Sequence, residues 1–351
     1  MLVKADKGST LPRLRELLLR SEMITIYVLV ALVAVTSILN PSFLTVDNLV
    51  SILKQYSFYA ICGVMLIFLM VSKAFDMSLG NTVALSGCVA AIMMRDFGVP
   101  FWGGVVVALA LGTVLGLING FLHGVLKIQA FMATLGTCFA YKGIFWVLSN
   151  QASIDCSAAV AASGIPNMAA GLPISIWVLM VLAAAGHIVL KYTKFGRSTY
   201  IIGNNVEVAK EIGISETRVK VILFGCLGFV SALCAVCFIL TYGAIPPSTG
   251  SKYEFYVNAG TVIGGCSVYG GRGTIAGSLV GTAVMTVVQF ALRSLNVPPG
   301  YQNTALGAIL LLAVLLDTMK EKNEDVSVGR RKRWQKNTSW KCGKLPSGSA
   351  M

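Results

Sequence analysis

Charge is scarce in this chain, and histidine is almost missing. Only 12% of its 351 residues are Asp, Glu, Lys or Arg, and it has two histidines. Soluble domains carry about 25% charged residues, so an ordinary water-soluble domain is excluded first. The remainder is 56% hydrophobic with a mean hydropathy of +0.76. A soluble fold of this length has no core large enough to hide that much apolar surface. His123 and His187 stand singly near the ends of apolar runs and read as interfacial residues, not as ligands or bases. There is no HExxH, no clustered metal-ligating set, no GxxxxGK[ST] phosphate loop and no Ser-His-Asp grouping. Zinc hydrolysis, ATP hydrolysis by this chain itself and triad chemistry therefore have no starting point. No catalytic residue, metal site or cofactor is expected within the chain.

What is present is a succession of long apolar runs with brief polar breaks, the pattern of a polytopic helical membrane protein. The runs predict an all-α fold with about ten transmembrane helices, at 23–39, 58–71 with a polar lead from 47, 82–94, 101–125, 132–148, 174–190, 219–241, 256–267, 274–292 and 303–316. Residues 1–22 read as an amphipathic cytoplasmic lead-in, 23–317 as the membrane domain with a polar loop at 191–218, and 318–351 as a basic tail. The formal charge of +13 is gathered at 4–20, 191–220 and 320–344, each flanking apolar runs. That is the distribution left by retaining Lys and Arg on the cytoplasmic face. Roughly six crossings separate the first basic region from the second, and roughly four more separate the second from the third. Even counts put both termini and the polar loop on one side, so the basicity belongs to membrane lipid headgroups and not to nucleic acid. Cysteines sit mostly inside apolar runs as small apolar residues; Cys234 and Cys237 have CxxC spacing but read as one face of a spanning helix.

Two kinds of segment carry chemistry. The first is "FDMSLGN" between the second and third spans. An acid at membrane depth is a functional candidate, and Asp76 with Ser78, Gly80 and Asn81 resembles a helix restart. Asp76 either faces the bundle or caps the third span beside Lys73. Thr134 and Thr137, in "FMATLGT", line a polar path or bond back to their own helix. The second segment is "GNNVEVAKEIGISETRVK", 203–220. Asn204 or Asn205 caps a helix there, Glu207 suits its positive end, and Val208, Ala209 and Ile212 give an apolar face away from Lys210 and Glu211. Gly213 ends it, and Ser215 caps the following span. The result is a short rigid helix on the basic side of the membrane, suited either to docking a soluble partner or to simple connection.

Taken together, four motifs resemble the permease subunits of bacterial ABC importers for ribose and related simple sugars. They are "NPSFLTVDNLVSILKQ", "FDMSLG", "GLINGFLHGVLKIQAFMATLGT", and "GNNVEVAKEIGI" followed by "GTVIGGCSVYGGRGTIAGSLVGT". The resemblance covers about 24–317 and departs from the family pattern at Ala74-Phe75 and at Gln129-Ala130. It implies a type II ABC importer-like permease in the bacterial inner membrane, paired with a second permease copy in a homodimer or heterodimer. It implies a separate subunit that binds ATP and Mg, and a periplasmic sugar-binding protein. It also implies that Asn205, Glu207, Val208, Ala209, Lys210, Glu211, Ile212 and Gly213 form the coupling helix seated in that ATPase. Asp76, Ser78, Asn81, Thr134 and Thr137 are then the candidate translocation path. The alternatives are a permease of the branched-chain amino acid type and an ion- or proton-coupled secondary transporter, which needs an intramembrane acid relay that Asp76 alone does not make. A membrane enzyme would need a catalytic set.

Overall fold

The computed structural model describes residues 21–315 and 317–319. Most of the lead-in and nearly all of the basic tail lie outside the described residues. The architecture is helical: α1 (Ser21–Leu39), α2 (Val46–Val71), α3 (Leu79–Asp96), α4 (Phe101–Gly120), α5 (Ala130–Ser149), α6 (Ser157–Ala162) and α7 (Ile174–Tyr192). There follow α8 (Lys194–Asn204), α9 (Val206–Glu211), α10 (Glu216–Tyr242), α11 (Tyr253–Ile263), α12 (Ile275–Ser294) and α13 (Pro299–Met319). Seven helices among the described residues are long and apolar enough to cross a membrane: α2, α4 with its π-turn Phe121–Val125, α5, α7, α10, α12 and α13. Helix α1 has a shorter apolar stretch, Thr25–Leu39.

Local signals set the boundaries. Pro41 cannot continue α1; Asn40 instead accepts from the Ser42 N–H at 3.0 Å and starts a 3₁₀ turn. The second run, short in its purely apolar part, becomes one 26-residue helix once its polar lead joins it. Its surroundings explain the tolerance: 72% of its apolar window is buried inside the protein, as in α10, against 22% in α7. Helices α2 and α10 are the centre of the bundle. The open faces of α4, α5 and α7 are apolar and suited to lipid or another helical surface.

Small residues decide how closely the centre packs. In α4, Gly112, Gly116 and Gly120 lie at four-residue spacing against α10. A Cβ on Gly116 would strike the Phe224 carbonyl, and one on Gly228 the Gly112 carbonyl. This small-residue seam lets the two backbones touch. The "GSLVG" glycines, Gly277 and Gly281, seat α12 in the same way against Gly264 and Gly260 of the α11 end.

Three features differ from the sequence expectation. The polar stretch after α7 is not loop at first: α8 forms across 194–204, with Thr193 accepting from the Gly196 N–H at 3.2 Å as its cap. The region 150–173 contains α6 and two short strands, β2 (Met168–Ala169) and β3 (Leu172–Pro173), in a hairpin. It also contains β1 (Ile154–Asp155), which pairs antiparallel with β4 (Ala244–Ile245) through Ile154 and Ile245. Helix α11 begins earlier than expected and is only 11 residues long, about 16 Å at 1.5 Å per residue. It cannot cross alone. The chain before it, 244–252, descends into the bundle until Gly250 packs on the Gly80 carbonyl in the first turn of α3.

Candidate functional site

The break between α2 and α3 gathers the polar side chains that sequence reasoning picked out in that region. Helix α2 stops at Val71, Lys73 takes the left-handed conformation at φ 61°, and α3 restarts at Leu79. Asp76 is 3% exposed. Its Oδ1 accepts from the Ser78 N–H at 2.6 Å and the Ser78 hydroxyl at 2.7 Å. Asp76 therefore faces the bundle and turns the chain into α3; it makes no ion pair with Lys73 among the described residues. Thr134, from α5, donates back to Ala130 O at 2.8 Å and accepts from the Met77 N–H at 3.1 Å. Its bond back to its own helix is thus formed, together with a tertiary bond to the helix break. Thr137 donates to Asn119 Oδ1 at 2.7 Å. Asn81 donates to Cys138 O at 3.1 Å and also borders a cavity of about 370 Å³ with Lys142, Trp146, Gln151 and Thr249.

Three members of this polar nest were not identified from the sequence. Asn119, near the end of α4, donates to the Ser78 hydroxyl at 2.7 Å and lies 3.5 Å from Asp76 Oδ2. Asn258, on α11, donates to Asp76 O at 3.1 Å and to Glu254 O at 2.7 Å. Glu254 is a second buried acid, 8% exposed, with its carboxylate against Gly80. Asp76 is therefore not alone at depth. Glu254 was missed because α11 was placed too far along the chain. The available signal was an isolated amide inside an apolar run, "LINGF", and the acid–amide pair four residues apart in "YEFYVN", both costly in a membrane without partners. Glu254 Oε2 and Asn258 Oδ1 are buried without a protein hydrogen-bond partner, which leaves acceptors turned toward neighbouring groups or water. The nest holds non-helical backbone inside the bundle, which is tolerated where other protein groups or a wet cavity satisfy it. Among the described residues there is no metal-holding group of His, Cys, Asp and Glu.

The second candidate is α9. Asn205 is its cap: its Oδ1 accepts from the Glu207 N–H at 2.8 Å and the Val208 N–H at 3.3 Å. Asn204 instead closes α8 by donating to Tyr200 O at 2.9 Å. Gly213, at φ +80°, ends α9. The Gly213 N–H reaches Lys210 O at 3.0 Å and the Ile214 N–H reaches Ala209 O at 2.9 Å, the two bonds of a Schellman closure. Ser215 caps α10 through the Arg218 N–H at 3.4 Å. The apolar face divides, contrary to the single face read from sequence. Ala209 is fully buried, while Val208 and Ile212 are 45% and 58% exposed, four residues apart on the same outer side. Glu207, Lys210 and Glu211 surround them, all exposed. At the start of α10, Lys220 is 6% exposed and pairs with Glu216 at 2.7 Å, and Lys127 approaches the same carboxylate at 3.5 Å.

Comparison with known proteins follows this geometry. Residues 48–315 match the family described as the permease component of a branched-chain amino acid transport system. The ribose import permease of Haemophilus influenzae is 34% identical over 293 residues, 82% of this chain and 90% of the relative. The L-arabinose transport system permease of Escherichia coli is 31% identical over 82% of this chain and 87% of its own length. The autoinducer 2 import system permease of Klebsiella pneumoniae is 28% identical over 87% and 88%. The matched span holds α3 to α12, with both the broken-helix nest and the capped α9. The chain belongs to this family of multi-pass membrane import permeases.

Proposed function

We propose that this chain is the membrane-spanning permease subunit of an ATP-driven importer for a simple sugar, a ribose-like pentose or hexose. The ribose and arabinose permeases align over four fifths of the chain. That favours a sugar over a branched-chain amino acid, although the family description carries the latter name. ATP and Mg belong to a separate ATP-binding subunit. A soluble sugar-binding protein delivers the solute on the other side, and a second permease copy completes the path.

The observation that carries this reading is the surface of α9. A six-residue helix capped at both ends keeps Val208 and Ile212 in solvent. Isolated exposed apolar residues are ordinary; two on one rigid, charged-rimmed helix between α8 and α10 suit insertion into a partner's groove. Residues Asn205 to Gly213 are then the coupling helix. Asp76, Ser78, Asn81, Thr134 and Thr137, joined by Asn119, Asn258 and Glu254, form a bistable polar joint beside the solute path.

Ten crossings follow if α1, α3, and α11 together with its descending lead 244–252 add to the seven long helices, and both termini then share the α9 side. The test is uptake of radiolabelled D-ribose and L-arabinose into vesicles carrying the permease, its ATPase and its binding protein. Accumulation that requires ATP, the binding protein and the intact α9 supports the reading. Uptake driven by an ion gradient without ATP overturns it.

A further inference from the structure

A second cavity, of about 470 Å³, lies at the opposite end of the bundle from α9. Its walls come from the first half of α2, the last turns of α10 and α12, and the descending segment 244–252 with the start of α11. Helix α10 has 27 residues, about 40 Å of rise, and separates this cavity from α9 by the thickness of a bilayer. The volume falls in the range of small-molecule sites, roughly 300–1,000 Å³.

Its composition is selective. Tyr59 and Tyr256 stack with centroids 5.2 Å apart and planes at 21°, an aromatic wall of the kind that lies along the C–H face of a ring. The Tyr59 hydroxyl donates to Gln289 Oε1 at 2.9 Å, which fixes that amide against the tyrosine pair. Two cations complete the rim, Lys252 and Arg293, and no Asp or Glu among the described residues lines the cavity. Lys252 donates to Asn303, a neutral partner. Arg293 lies 5.9 Å from the Phe290 ring centre. Neither makes an ion pair among the described residues. Lys and Arg only donate. A neutral polyol brings donors as well as acceptors and is served well by carboxylates, whereas this cavity offers cationic donors without them. Guanidinium matches carboxylate and phosphate geometry.

Building on the permease reading, we infer that this cavity is an outward-facing subsite for an acidic monosaccharide, a polyol of sugar size that carries a carboxylate or a phosphate. The outer face of Tyr256, backed by Tyr59, lies along its carbon face, and Arg293 with Lys252 hold the anion.

The test measures equilibrium binding of D-gluconate, D-ribose 5-phosphate and D-ribose to the full-length chain in lipid nanodiscs. At least one anion should bind about tenfold tighter than D-ribose, as a charge-assisted pair implies. The preference should shrink as salt rises, vanish in Arg293→Gln and survive in part in Arg293→Lys. Gluconate preference alone identifies a carboxylate, and ribose 5-phosphate preference alone a phosphate. D-ribose binding as tightly as both anions, no binding of any probe, or an unchanged preference in Arg293→Gln overturns the assignment. ATP-dependent uptake by the assembled transporter separates the two readings. If Arg293→Gln keeps uptake and its charge selectivity, the subsite fails and the permease stands. If it lowers only stimulation of the ATPase by the binding protein, Arg293 is a protein-docking residue and the subsite again fails. If the unmodified assembly shows no ATP-dependent uptake of any sugar, the permease reading itself fails.

Discussion

Two buried polar arrangements set what single residues contribute. Lys220 is held by Glu216 at the start of α10, so Glu216→Gln leaves a buried cation with much weaker compensation. Loss of one partner of such a pair costs on the order of 3 kcal/mol, less here because Glu216 keeps 15% exposure. A lower thermal midpoint of the purified protein is expected, with much of the loss recovered in Glu216→Gln/Lys220→Met. Asn119 bridges Asp76, Ser78 and Thr137, so Asn119→Ala removes donor and acceptor together and strands buried partners, at about 1–3 kcal/mol. Uptake should fall further than folded yield, and Asn119→Asp should not restore it, because a second carboxylate then faces Asp76. Normal uptake by Asn119→Ala would show that the nest is only packing. Legibility at this scale followed separation along the chain. Asn205 acts on amides two and three residues away and was readable from capping chemistry. Asn258 bonds Asp76 across 182 residues, and nothing local announces such a partner.

Among the helices, α9 and the α4–α10 seam make opposite demands. Helix α9 touches the rest of the molecule mainly through Ala209, so Val208→Glu or Ile212→Glu should leave the protein inserted and folded. Glu211→Lys, or deletion of 208–212, should likewise spare insertion while separating ATP hydrolysis from uptake in the assembled transporter. Uptake at the original rate in all of these would reduce α9 to a connector. The seam tolerates nothing of the kind. Gly228→Leu drives a side chain into the Gly112 carbonyl and should abolish folded yield in a detergent-resistance assay. Gly136→Ala on α5 meets nothing within 4 Å and should be neutral or stabilising by up to about 1 kcal/mol. Long apolar periodic helices were readable because hydropathy alone specifies them. Helix α8 escaped because its polar composition reads as loop, and α11 because glycine-rich flanks blur an 11-residue helix.

For the whole molecule, the proposed ten-crossing scheme makes one prediction about orientation. Reporter fusions at the N-terminus, at residue 213 and at the C-terminus should all report the same side, and a fusion at 297 the opposite one; any split among the first three removes a crossing from the scheme. The even-count argument for it combines the apolar spans with the Lys and Arg positions, because translocation bias acts on sequence and needs no tertiary contact. Tertiary knots are another matter. The Val71 carbonyl, at the end of α2, accepts from the Gly271 N–H at 2.8 Å. Gly203, in the last turn of α8, packs on that same oxygen and on Gly271, and the Asn204 side chain fills the space beside Gly271. One backbone atom is thus shared by three segments far apart in sequence. The molecule is therefore a poor candidate for cut-and-paste engineering: a chimera that imports only 194–213 from a relative inherits a mismatched junction, and exchanges of this region will succeed as a matched set with 264–273 or not at all.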